Sequence, residues 1–147
     1  MARRALPRLA IVLLLASGCS AGGDPFIVDV ADGVQPRFDA GAVADLIRDV
    51  MEQNAADEEA PDVAIDIVSV SAMDIMDMPA AVPGIEAIGG DPAPSGVVWV
   101  VEAHGPYISH RGPPPGAEGP RVRTGTHGWW VVADSDGSII SMEMDSG

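Results

Sequence analysis

The chain has 147 residues, with 8 basic against 22 acidic side chains and a net charge of −14. That balance disfavours nucleic acid and anionic lipid headgroups as partners, and the length suits one domain rather than two. Lysine is absent and Ala, Gly, Asp, Arg and Pro are in excess, a pattern consistent with coding bias in a G+C-rich genome.

The first segment, residues 1–18, has the build of a secretory signal. Arg3, Arg4 and Arg8 form a positive start, and Leu9 to Ser17 follow without a charge. This apolar run has the length of a signal core and is shorter than the about 20 residues a spanning helix needs. It ends Leu15-Ala16-Ser17-Gly18-Cys19, which resembles the lipobox of bacterial lipoproteins, with Ala16 where leucine is commonest. The resemblance implies diacylglyceryl attachment to the Cys19 thiol and cleavage before it. The alternative is a plain secretory signal followed by an incidental cysteine. Cys19 is the sole cysteine, so it has no intramolecular disulfide partner. Two acyl chains are enough for stable anchoring, whereas one is marginal. Loss of residues 1–18 leaves 5 arginines against 22 acids, a net charge of −17. A domain so acidic has no other evident membrane contact, so the lipid on Cys19 is the expected attachment.

Residues 19–36 read as the lipidated N-terminus and a tether, with small residues at 20–24 and a weak strand signal at Phe26–Val30. A helix is predicted from about Ala40 to Ala55. Val43, Leu46, Ile47, Val50 and Met51 recur on one stripe, Asp39 suits the N-cap, and Phe38 and Val43 stand at the staple positions. Val63–Ala72 reads as a strand whose parity changes between Ile67 and Val68, the mark of a bulge or of burial on both faces. Met73–Met78 is either a helical turn or more strand, and Pro79–Gly96 is rich in proline and glycine, hence mostly loop.

Val97–Ala103 is the strongest strand signal, followed by His127–Ala133. Asp134-Ser-Asp-Gly137 is a hairpin turn into a closing strand, Ser138–Glu143. A long Pro/Gly-rich loop is expected at 105–126; it carries three of the five arginines beyond residue 18. The expected fold class is α+β: one amphipathic helix on a small antiparallel sheet of three to four strands, in a single domain spanning 37–147. The helix, the strands and the ending Val131-Val-Ala-Asp134-Ser-Asp-Gly137-Ser-Ile-Ile140 resemble the PepSY domain over about residues 39–143. The turn is one residue shorter than that family's, and the 105–125 stretch is an insertion. The resemblance implies an envelope-bound module that regulates or inhibits peptidases, although function lives in sites rather than folds.

Several constellations bear on chemistry. Met73, Met76, Met78, Met142 and Met144, with His104, His110 and His127, offer soft donors of the kind that suit Cu(I); the alternative is that the methionines fill core gaps. Asp134-x-Asp136-Gly137 resembles the start of a calcium loop, whose twelfth position would fall at Asp145. No serine lies in a Gly-x-Ser-x-Gly context and no glycine-rich phosphate loop precedes a helix, so no catalytic residue, metal ligand or cofactor site is assigned. Trp129 and Trp130 point to opposite faces of their strand. If the second face is open, one of them, rimmed by Tyr107 and the arginine-bearing loop, makes a binding patch for a protein or peptide. The reading is a non-catalytic binding or regulatory module on the extracytoplasmic side of the cell membrane or outer membrane. An envelope Cu(I)-binding lipoprotein is the alternative.

Overall fold

The computed structural model describes residues 25–85, 95–113 and 115–145. Its elements are β1 (Ile27–Val30), α1 (Ala40–Ala55), β2 (Asp66–Asp74), α2 (Met78–Ala81), β3 (Val97–Ser109), β4 (Arg123–Ala133) and β5 (Ile139–Met144). They form a five-stranded sheet in the order β1-β2-β3-β4-β5. The fold is α+β as expected, but the sheet is larger and mixed. The Phe26–Val30 signal is a real strand: β1 pairs parallel with β2, with Ile27 opposite Ser69 and Val30 opposite Ala72. The tether expected over 19–36 therefore gives up 27–30 to the sheet. A parallel pair needs a crossover connection, and α1 supplies it; the other three pairings are antiparallel.

Helix α1 begins and ends where its sequence pattern says. The Asp39 carboxylate accepts from the Ala42 N–H at 2.9 Å, satisfying one of the free donors of the first turn. Val43, Ala44, Ile47 and Met51 are buried, with Leu46 and Val50 at the margin of the same cluster. They pack on Val70 and Ala72 of β2, Trp99, Val101 and Ala103 of β3, and Trp130 and Val132 of β4. Alternation along the strands places these side chains on the helix face. The Phe38 ring lies against Gly137, at the β4–β5 turn.

The β2 bulge is present, with the register shifting between Ile67 and Ser69. The 105–126 loop is shorter than expected, because β3 runs on to Ser109 and β4 begins at Arg123, leaving 110–122 as the connection. Gly105 and Pro106 do not end the strand. They form a bulge after which pairing resumes at Tyr107 and Gly125. Gly105 has φ +150°, and a Cβ there would run into the Met51 methyl. Beyond the bulge, Tyr107 is fully buried on the helix face and its hydroxyl donates to the Ala103 carbonyl at 3.3 Å. Its ring stacks on Trp130 at 5.3 Å and covers Gly128, where a side chain would meet both that ring and the Glu143 carbonyl.

The second face of the sheet is half covered. Ile75, Met78, Val82 and Ile85, from the end of β2 through α2, pack on Val98, Val100, Trp129 and Val131. This is the covering that a Pro-rich segment after β2 makes feasible. It removes the expected tryptophan patch: Trp130 is 5% exposed on the helix face, Trp129 is 9% exposed on the other, and Tyr107 is fully buried.

Candidate functional site

The covering stops halfway along β3 and β4, and the remainder of the second face is polar. Residues two apart on a strand share a face, so Val98 and Val100 are continued by Glu102 and His104, and Val131 and Trp129 by His127. The register sets Glu102 opposite Trp129 and His104 opposite His127. On the neighbouring strands Glu143 pairs with Trp129, and Asp66 with His104. Asp145 follows the end of β5, and its N–H donates to the His127 carbonyl at 3.0 Å.

His127 organises this end. Its Nε2 lies 2.9 Å from Glu102 Oε1 and its Nδ1 lies 3.2 Å from Asp145 Oδ2. Only an imidazolium has an N–H for each of two carboxylates; a neutral ring leaves one carboxylate facing a lone pair. The His104 ring stacks on that of His127 with centroids 4.5 Å apart and an interplanar angle of 14°, while Trp129 flanks it at 4.7 Å. His127 is thus held by a stacked ring, a tilted indole and contacts at both nitrogens, and bridges β3 to the end of β5. His104 is exposed. Beside this end, Pro61, Arg123, Thr124, Gly125, Thr126, Met144 and Asp145 line an open groove. The sequence carries a signal for the grouping: the even positions 98–104 and the odd positions 127–131 each change from apolar to polar along one face.

The third histidine stands apart. His110 Nε2 lies 3.1 Å from Asp57 Oδ2, tying the 110–122 connection to the segment after α1. The Asp57 carboxyl sits below the ordinary carboxylate range because the Glu59 backbone N–H donates to it, with His110 adding to the effect. Arg111, Arg121 and Arg123 are all exposed.

The five methionines do not converge. Met73 and Met78 belong to the far-face cluster, Met76 is 78% exposed, and Met142 and Met144 pack on the helix-side cluster. The thioether set that Cu(I) would need is therefore not assembled. Among the described residues, no group of three or more His, Cys, Asp or Glu side chains is arranged to hold a metal ion.

The calcium-loop resemblance also fails, for a reason found in the turn itself. Asp134 is 3% exposed and accepts three N–H groups: Arg37 N at 2.7 Å, Phe38 N at 3.1 Å and Trp99 Nε1 at 3.0 Å. Its oxygens hold the entry to α1 against β3 and β4. Asp136 accepts from both the backbone N–H and the hydroxyl of Ser138, which lowers its pKa. Gly137, at φ +74°, closes the turn with its N–H on the Ala133 carbonyl at 2.9 Å. The left-handed conformation explains a glycine at that place. The hairpin reading of this segment is correct, and the buried role of Asp134 is what sequence reasoning missed.

Cys19 and residues 1–18, where a signal is expected, lie outside the described residues. Among the described residues, no helix is long and apolar enough to cross a membrane. No protein-family model, curated protein or solved structure matches the chain.

Proposed function

We propose that this chain is a lipid-anchored cell-envelope protein whose single domain, PepSY-like in build, acts as a non-catalytic binding or regulatory module. Its partner is a protein or peptide that presents basic side chains to the open end of the second sheet face. The observation that carries this reading is the grouping of Glu102, His104, His127, Glu143 and Asp145 where the apolar covering ends. A mature charge of −17 favours encounter with a cationic surface and makes the rate of encounter salt-dependent. Trp129 and Tyr107 are buried, so recognition rests on charge and hydrogen bonding at this end rather than on an aromatic patch. The non-catalytic reading is supported by His127 itself. Both of its nitrogens face carboxylates, which leaves neither to take a proton from a nucleophile.

The test uses the full chain in its native envelope. A photo-crosslinking residue replaces His104, with the same residue at exposed Ser135 as the control. A discrete adduct from position 104 only, weakened by added salt, is the expected result. Equal labelling from the two positions, or none from position 104, refutes the proposed surface.

A further inference from the structure

The edge strand β1 exposes apolar side chains on both of its faces: Ile27 is 68% exposed, Val28 49% and Val30 41%. Only one side of its backbone is paired, through β2. Natural sheets blunt such edges with charge, proline, bulges or a covering element, and here Asp29 alone interrupts the apolar run. The position of this strand in the chain says what covers it. Five residues lie between Cys19 and Pro25, and the six steps of backbone from one to the other span at most about 21 Å when fully extended. A lipid on Cys19 therefore keeps β1 within reach of the headgroup region at all times.

We infer that the β1 edge is a second membrane contact: Ile27, Val28 and Val30 rest in the interfacial region of the leaflet that holds the Cys19 lipid. This inference rests on the lipid-anchored reading. The geometry also orients the domain. With β1 against the bilayer, the strand order sets β4, which carries His127, three strand spacings away, about 14 Å farther from the membrane. The polar end of the second face is then presented outward. Asp29 lies within the contact and Asp32 just after it, so it forms against zwitterionic headgroups in preference to anionic ones.

The experiment uses the lipidated full-length product in phosphatidylcholine vesicles. Acylation occupies the native thiol, so Ile27→Cys supplies a single site for bimane, and Glu118→Cys, at an exposed position between β3 and β4, supplies the control. The expected result is a blue-shifted emission at position 27, quenched by spin-labelled phosphatidylcholine, with neither effect at 118. Equal behaviour of the two positions in a protein whose N-terminal lipid is confirmed by mass overturns the second contact while leaving the anchor standing. Absence of the lipid mass overturns the anchor and the contact together, so the two failures are distinguishable. A blue shift at position 27 in the unlipidated Cys19→Ser chain without vesicles assigns the edge to a second copy and overturns the bilayer contact.

Discussion

Replacing Asp134 tests how the helix is fastened to the sheet. The carboxylate is buried and accepts the N–H groups of Arg37, Phe38 and Trp99. Asp134→Ala leaves three donors without an acceptor. Each orphaned group costs about 1–3 kcal/mol, and the two backbone donors are only partly buried, so the loss is roughly 3–5 kcal/mol. That is a large share of the about 5–15 kcal/mol that holds a domain together. At about 3–6 °C per kcal/mol for a domain of this size, the melting temperature falls by about 9 °C or more. Asp134→Asn is milder. Its carbonyl oxygen still serves Phe38 and Trp99, while its amide meets the Arg37 N–H donor to donor, at a cost of roughly 1–2 kcal/mol. Urea denaturation followed by tryptophan fluorescence measures both, with the slope unchanged if only stability moves. A loss below about 1 kcal/mol for the alanine variant, or an asparagine variant as weak as the alanine one, would refute the assignment of Asp134 as a buried triple acceptor.

The methionines that the sequence groups together separate in their response to truncation. Met78→Ala opens the far-face cluster beside Trp129 and costs about 2–5 kcal/mol, while Met76→Ala, on a side chain 78% exposed, leaves the urea midpoint where it is; equal effects refute the covering of that face. Burial raises the pKa of Tyr107 above its ordinary value. An unfolded tyrosine ionises near pH 10, so stability is intact below that pH and falls as the pH rises above it. Tyr107 is the single tyrosine of the chain, so phenolate absorbance reports it alone: it should appear only with unfolding, and Tyr107→Phe should make the alkaline loss of stability shallower. Cys19→Ser should give a protein that is released or unprocessed and takes up no labelled palmitate; unchanged fractionation and labelling would overturn the anchor.

Helix α1 was legible to the residue because its evidence is local. An N-cap at Asp39 and an apolar stripe from Val43 to Met51 lie within one stretch of chain, and a helix makes its hydrogen bonds within that stretch. The strands at 97–103 and 127–133 and the Asp134–Gly137 turn were legible on the same ground. What sequence reading misjudged depended on distant partners. Gly105-Pro106 looks like the start of a loop, yet β4 supplies partners beyond it and turns it into a bulge. Phe26–Val30 is a weak strand signal until β2 offers a free edge. The methionine spacing suggested a cluster, but M-x-x-M-x-M straddles the end of a strand and a helical turn, which send the thioethers to different places.

The sequence by itself determined the acidic character, the signal ending at Cys19 as an expectation, the helix and the strongest strands, because composition, periodicity and turn chemistry are properties of short stretches. Tertiary structure alone decided which half of the second face is covered. It also decided that Trp129 and Trp130 are both buried, that Asp134 is a buried acceptor rather than a cation ligand, and that Glu102, His104, His127 and Asp145 meet at one end. Each of those outcomes depends on strand register and on which segment folds back over the sheet. Those are relations between residues 18 to 97 positions apart in the chain, and no local pattern encodes them.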